Sequence, residues 1–385
     1  MGTVLLIGTL DTKGEELGYV RDLIRARGHE TRILDAGVLG EPGFVPEIAA
    51  EQVAEAGGTA LSDLRASGDR GRALEVMARG AAAVAVDEHS AGRIDAVLGL
   101  GGSCGTAIAT SAMRALPVGL PRVMVSTVAS GPVGSYVGVT DITMMYSVVD
   151  VAGLNRISRQ ILTNAAGAVC GMLEQAKPSS EDRLLVAATM FGVTTPCVQR
   201  VRQRLEERGY EVLIFHATGS GGRAMEGLIR AGFIAGVADV TTTEWCDELA
   251  GGILSAGPDR LDAAAQSGTP QVVSVGALDM VNFGPAETVP ERYRGRLVHV
   301  HNPNVTLMRT TAAECARLGE IIGVKLNAAT GPATLMLPLQ GVSALDKQGQ
   351  PFRDEAADAA LFDALRRTVR PPVTIIELDQ HINDP

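Results

Sequence analysis

The feature that most constrains the fold is a unit that occurs twice: a short apolar run, a polar turn, a helical stretch closing on Arg-Gly, and a further run of strand character. Val4-Leu5-Leu6-Ile7-Gly8-Thr9 opens the first unit, whose helix closes on Arg27-Gly28-His29-Glu30. Leu184 to Thr189 opens the second, whose helix closes on Arg208-Gly209-Tyr210-Glu211. Thr9 and Thr189 lie 180 positions apart, and Gly28 and Gly209 lie 181 apart. Buried strands alternating with amphipathic helices read as β-α-β units, which build parallel sheets through right-handed crossovers. An internal duplication gives this pattern, and so does independent recurrence of a common motif.

The expected fold class is therefore α/β, with two Rossmann-like subdomains and mainly parallel sheets. A chain of 385 residues exceeds the size of one growing core, which favours two domains. We place them at 1–180, an N-terminal nucleotide-binding α/β domain, and 181–385, a C-terminal α/β domain. The polar run Lys177-Pro178-Ser179-Ser180-Glu181-Asp182 reads as the linker. Further strands are expected at Ile94 to Leu98, Arg122 to Val125, Val212 to Phe215, Gly236 to Val240, Gln271 to Val275 and Val373 to Leu378. Helices are expected at Arg70 to Val86, Gly105 to Leu116 and Val151 to Gln175.

Composition narrows the function. A formal net charge of -10 without any basic run argues against nucleic acid as a partner, because phosphate neutralisation needs a basic face. Aromatics make up only 3% of the chain, so the core must be built from aliphatic side chains. The five cysteines are scattered, without a C-x-x-C, which suits a reducing compartment and no structural zinc. No apolar stretch has the length of a membrane span and the start lacks a signal peptide's basic region, so a cytoplasmic protein without membrane partners is expected. A homo-oligomer is the expected assembly.

Three turns carry the chemistry. Gly8-Thr9-Leu10-Asp11-Thr12-Lys13-Gly14-Glu15 leads from the first strand into a helix, placing backbone N–H groups, two hydroxyls and an ammonium at a helix N-terminus, where anions bind. Asp11 suits a ribose hydroxyl or a metal, Lys13 suits a phosphate, and helix capping alone also favours Thr and Asp here. Gly99-Leu100-Gly101-Gly102-Ser103-Cys104-Gly105-Thr106 is the strongest local signal: its glycines permit close backbone approach to phosphate, and Ser103 and Thr106 add hydroxyls. It is neither the dinucleotide fingerprint, since Cys104 replaces the last glycine, nor a Walker A loop, and a tight turn with close helix packing is its simplest alternative. Ser126-Thr127-Val128-Ala129-Ser130-Gly131 follows another strand and should open on the same edge, where Asp141 and Asp150 are further candidates.

In the second half, His216-Ala217-Thr218-Gly219-Ser220-Gly221-Gly222-Arg223 repeats the glycine-loop theme as a second anion or carboxylate site, and Thr241-Thr242-Thr243-Glu244 reads as a capped helix start. His299-Val300-His301-Asn302-Pro303-Asn304, ahead of Arg309-Thr310-Thr311, joins a base candidate, His301, to a cation, Arg309, able to grip a carboxylate or phosphate.

Gly8 to Glu15, Gly101 to Thr106 and the stretch from Gly276 through Asn282 to His301-Asn302-Pro303-Asn304 and Arg309 resemble one known family. It is the largely uncharacterised bacterial, fungal and plant family that includes the ATP-binding inhibitory domain of the tomato mosaic virus resistance protein. The resemblance extends through Gly341-Val342-Ser343-Ala344-Leu345-Asp346 to the closing His381-Ile382-Asn383-Asp384. It implies two α/β subdomains and ATP held mainly by the first, with a divalent cation such as Mg2+ as a candidate companion. It implies no known reaction.

Two functions follow. The first is an ATP-binding protein, with Gly8, Thr9, Asp11, Thr12, Lys13, Gly101, Gly102, Ser103, Gly105, Thr106, Ser130 and Gly131 around the nucleotide. The second is a small-molecule enzyme acting on a phosphorylated or carboxylated metabolite between the domains, with His301 and Arg309 as catalytic residues. A nicotinamide-dependent oxidoreductase is weaker, for want of the fingerprint.

Overall fold

The computed structural model describes residues 1–175 and 183–385, so the run Lys177 to Asp182 lies outside the described residues. The chain divides into two compact units, Met1–Ser179 and Ser180–Pro385.

In the first unit β1 (Thr3–Gly8), α1 (Leu10–Ala26), β2 (Glu30–Asp35), α2 (Ala50–Ala56), α3 (Leu61–Ser67) and α4 (Arg70–Ser90) precede β3 (Ala96–Gly101) and α5 (Ser103–Ala115). Then come β4 (Arg122–Ser126), α6 (Gly134–Val137), β5 (Thr143–Tyr146) and α7 (Arg156–Glu174). All five strands are parallel, in the order β2-β1-β3-β4-β5. Alternate residues of β1 serve opposite faces of the sheet: Leu5 and Ile7 pack with α4 and α5, while Val4 and Leu6 pack with α1 and α7. That two-sided burial explains why these strands read as continuous apolar runs. Gly8 ends β1 because α1 crosses close above it; a Cβ there would stand 2.8 Å from Leu17 Cδ1.

The second unit starts with β6 (Leu185–Met190), α8 (Thr195–Glu206), β7 (Glu211–His216), α9 (Ser220–Arg230), β8 (Ile234–Thr241), α10 (Glu244–Ala250), α11 (Asp262–Ser267) and β9 (Gln271–Gly276). An antiparallel insertion follows, β10 (Met280–Phe283), β11 (Val298–Asn302) and β12 (Val305–Arg309), which pair in the order β10-β12-β11. The chain closes with α12 (Ala312–Asn327), β13 (Ala333–Pro338), α13 (Glu355–Thr368) and β14 (Thr374–Leu378). Its main sheet is again parallel, β7-β6-β8-β9-β13-β14. Both units thus place their first strand between the second and the third. The antiparallel insertion differs from expectation: the polar His299 to Asn304 stretch is the β11–β12 hairpin and not a loop before a helix. Among the described residues no helix is long and apolar enough to cross a membrane.

Candidate functional site

In an open parallel sheet ordered 2-1-3-4-5, connections from β1 and β3 leave toward opposite faces, and the carboxyl ends of these strands frame a crevice. The first unit has a cleft of about 380 Å³ at that place, within the size range of small-molecule sites. The β1–α1 turn supplies Thr9, Asp11, Thr12 and Lys13, and the β3–α5 turn supplies Gly101, Gly102, Ser103, Cys104 and Gly105. Val38, Leu64, Leu74, Met77 and Ile108 form apolar walls.

The two helix starts differ: at α1, Leu10 N is taken by Asp35 and Thr12 N and Lys13 N by Thr9 O, whereas the start of α5 is open to the cleft. The first backbone hydrogen bond of α5 runs from Thr106 N to Gly102 O at 2.8 Å, leaving the N–H groups of Ser103, Cys104 and Gly105 without helical acceptors. No side chain caps this end, and no acidic residue stands in its first turn. A Cβ built on Gly102 meets only Thr127 Oγ1, at 3.7 Å, whereas one on Gly101 lies 3.0 Å from Gly105 Cα. Gly102 thus keeps open space at the turn, and Gly101 serves the packing of the turn on its own helix.

The polar side chains divide into those committed to the scaffold and those that are free. Asp35 is buried at the end of β2 and accepts from Leu10 N at 2.9 Å and Gly37 N at 2.8 Å, tying the first turn to the β2 loop. Burial pushes its carboxyl above the ordinary range, against these two amide bonds. Asp11 Oδ2 accepts from Leu39 N and Gly40 N at 3.0 and 3.1 Å, and its Oδ1 is buried without a protein partner. Arg65 holds the same loop through its carbonyls, donating to Val38 O and Gly40 O. Thr9 and Thr12 share a hydrogen bond of 2.7 Å between their hydroxyls. Lys325 and Lys347 have carboxylate partners. Among the described residues Lys13 has none, although it lines the cleft.

The remaining candidates are placed elsewhere. Gly8 is buried below the turn. Thr106 is fully buried, donating to Gly102 O and bonded to Ser126 Oγ at 2.6 Å, so it fastens the start of α5 to the end of β4. Ser130 and Gly131 are exposed and do not line the cleft. Asp141 pairs with Arg122 at the amino end of β4, the edge remote from the cleft, and Asp150 is also absent from the cleft wall.

His301 and Arg309 do not meet. Across the β11–β12 hairpin Asn302 faces Val305 near the turn, whereas Val298 faces Met308 at the far end, which separates the two by roughly 10 Å of strand. His301 is exposed. Arg309 is buried and its guanidinium is spent internally, on Phe352 O at 2.7 Å, Thr310 Oγ1 at 2.8 Å and Asp358 Oδ1 at 2.8 Å. Thr311, as expected of a helix start, caps α12 in a reciprocal arrangement with Glu314.

The second unit's glycine loop also departs from expectation. Its anion is the chain's own Glu244, which is fully buried and accepts from Gly219 N at 2.7 Å and Gly222 N at 3.1 Å while receiving Arg260 Nε at 2.7 Å. Thr243 does not cap α10; its hydroxyl turns to Met280 O. At the neighbouring α8, Asn383 accepts from Cys197 N and donates to Val193 O, so the closing segment covers that helix start.

Sequence reasoning missed the cleft's other wall, Arg65, Asp69, Arg70 and the apolar residues of α3 and α4. One signal was present: α4 begins Arg70-Gly71-Arg72, two cations in a first turn where acidic residues are favoured.

The fold and site define a class: two doubly wound parallel α/β units, the first with an open, cation-bearing cleft at its strand-order reversal. Residues 2–178 match the N-terminal domain, and residues 183–385 the C-terminal domain, of the uncharacterised protein family UPF0261. The chain belongs to that family. It is 52% identical to a UPF0261 protein of Clostridium tetani over 99% of this chain and 95% of that one. With a UPF0261 protein of Rhizobium meliloti it shares 50% identity over 100% of this chain and 96% of that one. With the ToMV resistance protein Tm-1 of Solanum lycopersicum it shares 40% identity over 99% of this chain, which spans 54% of the tomato protein.

Proposed function

We propose that this protein binds ATP in the first unit's cleft. The observation that carries the reading is the convergence of an uncapped helix N-terminus and Lys13, which has no carboxylate partner, on one crevice at the strand-order reversal. Phosphates suit the α5 amides and Lys13, and the base suits the walls formed by Val38, Leu64, Leu74, Met77 and Ile108. The ATP binding implied by the family resemblance supports the same ligand. Mg2+ fits as a companion of the phosphates: it needs one or two carboxylates and keeps several waters, and Asp11 is the carboxylate of the β1–α1 turn. Among the described residues no group of three or more acidic, histidine or cysteine side chains is gathered for a resident metal. All five cysteines are free thiols, which supports a reducing, cytoplasmic setting.

The test is calorimetric titration of the purified chain with ATP, alongside mass spectrometry of the supernatant after denaturation. We expect saturable binding at one nucleotide per chain and ATP or ADP in the supernatant. A sugar acid or acyl compound there, with no heat from ATP, would replace this reading by the metabolite enzyme.

A further inference from the structure

α4 begins against its own electrostatics. A helix N-terminus carries partial positive charge and favours acids, yet its first turn has Arg70 and Arg72 and no acidic residue. Asp69, the N-cap, is the acid at this end; its carboxylate accepts from Arg72 N at 3.0 Å and also lines the cleft, leaving two arginines to one carboxylate. Arg70 is exposed at the cleft and, among the described residues, has neither a hydrogen bond nor an ion pair. Arg65, in α3 and also in the cleft wall, donates Nε and Nη2 to the carbonyl oxygens of Val38 and Gly40 and, among the described residues, has no bond at Nη1 and no carboxylate partner. Arg25, Arg27, Arg32, Arg93 and Arg122 of this unit each pair with an acid, while Arg79 and Arg114 bond to carbonyl oxygens; what sets Arg65 and Arg70 apart is that they lack an acid partner and line the cleft.

In a chain of net charge -10, three cations without carboxylate partners, Lys13, Arg65 and Arg70, line one cleft beside two acids, Asp11 and Asp69, and an anionic ligand would pair with the excess positive charge. We propose that Arg65 and Arg70 form a second cationic wall of the cleft that Lys13 and the β3–α5 turn also line, and that this wall binds a second phosphate of the ligand. The inference rests on the ATP reading and deepens it by assigning the residues that hold the ligand's second phosphate. The second phosphate has two sources, the 5′ chain of a di- or triphosphate or a phosphate on the ribose. Arg70 is then a binding residue whose position at α4 lowers the stability of the free protein.

The test titrates wild type, Arg70→Ala and Arg70→Glu with ATP, ADP, AMP and adenosine 3′,5′-bisphosphate, and records melting curves without ligand. Wild type should prefer the doubly and triply phosphorylated probes to AMP. Arg70→Ala should lose about tenfold or more in affinity for them and little for AMP. Arg70→Glu should lose more, while melting at or above the wild-type temperature, since an acid suits that helix end. Losses confined to ATP and ADP assign the second phosphate to the 5′ chain; a loss confined to the bisphosphate assigns it to the ribose. If wild type binds ATP and both variants bind every probe within twofold of it, the second wall is wrong and the nucleotide reading stands. If wild type binds none of the four, the nucleotide reading itself fails.

Discussion

Gly219 donates its backbone N–H to the carboxylate of Glu244 at 2.7 Å, inside a turn of the kind that in the first unit opens onto a cleft. The same carboxylate takes Gly222 N and Arg260 Nε, and Arg260 in turn is shared with Asp239 and Glu226. Two parallel sheets with the same placement of their first three strands thus differ at their helix starts: one presents free amides, the other fills them with its own side chain.

Removing that side chain uncovers the anion site it fills. Glu244→Ala leaves the buried Arg260 with Asp239 and Glu226 only, and loss of one partner from a buried charge network costs about 3 kcal/mol. Formate or phosphate, added to the variant, should enter the vacated place and raise its melting temperature more than that of wild type. Equal salt responses in the two proteins would show that Glu244 is packing and not a stand-in for a bound anion.

Gly101 and Gly102 stand side by side and should answer differently. Valine at Gly102 meets open space on one side and Thr127 on the other, with φ of -77°, so folding should lose no more than about 1 kcal/mol, mostly from a poorer cap. Its side chain would stand in the cleft, and ATP affinity should fall at least tenfold. Valine at Gly101 presses on Gly105 and should cost about 1–3 kcal/mol in stability. Circular dichroism melts beside calorimetry separate the two, and a Gly102→Val protein that binds ATP normally removes this turn from the site.

Lys13→Ala should leave the melting temperature of the free protein unchanged, because no ion pair is lost. The α-helical geometry of α1 is interrupted at this residue, with φ of -128° and ψ of 20°. If its ammonium meets the outer phosphates, affinity for ATP should fall about tenfold or more and that for AMP much less. Parallel losses for both nucleotides would move Lys13 to the first phosphate.

Much of this was legible in the sequence, for a physical reason. Strands buried on both faces leave unbroken apolar runs, and the turns after β1 and β3 hold their glycines and hydroxyls within a few consecutive positions. The second wall left only the Arg70-Gly71-Arg72 start of α4 as a signal, since Leu64, Arg65 and Arg70 reach the same cleft as Thr9 and Ser103 only through the crossover between β2 and β3. The His301 and Arg309 pairing failed likewise: the groups that consume the guanidinium, Phe352 O and Asp358, lie 43 and 49 residues downstream. The short strands of the antiparallel insertion, with histidine and asparagine among their residues, do not announce themselves as a sheet.

Buried acids give the second unit its own pH signature. Asp247 is buried, accepts from Asn282 N and Asn282 Nδ2 at 2.9 and 2.7 Å, and its carboxyl is pushed up to about 7, chiefly by desolvation. Burial also raises Asp358, to about 7, and shifts Asp279 and Asp346 upward beside Arg309. The ordinary value for an aspartate is 3.8, so between about pH 4 and pH 7 the folded protein keeps a proton on Asp247 that the unfolded chain has released. Stability contributed by this group is therefore greatest at low pH and declines as pH rises through that window, by on the order of 1 kcal/mol per pH unit, then levels off above about 7. Asp247→Asn removes the titration and can keep both contacts: Asn282 Oδ1, buried without a partner, becomes an acceptor for the new amide once the Asn282 side chain flips. Melting temperatures of the two proteins should run together near pH 5 and diverge toward pH 8, where the variant should be the more stable. Curves that stay parallel from pH 5 to pH 8 would show that Asp247 binds no extra proton in the folded state over that range and would overturn the raised titration.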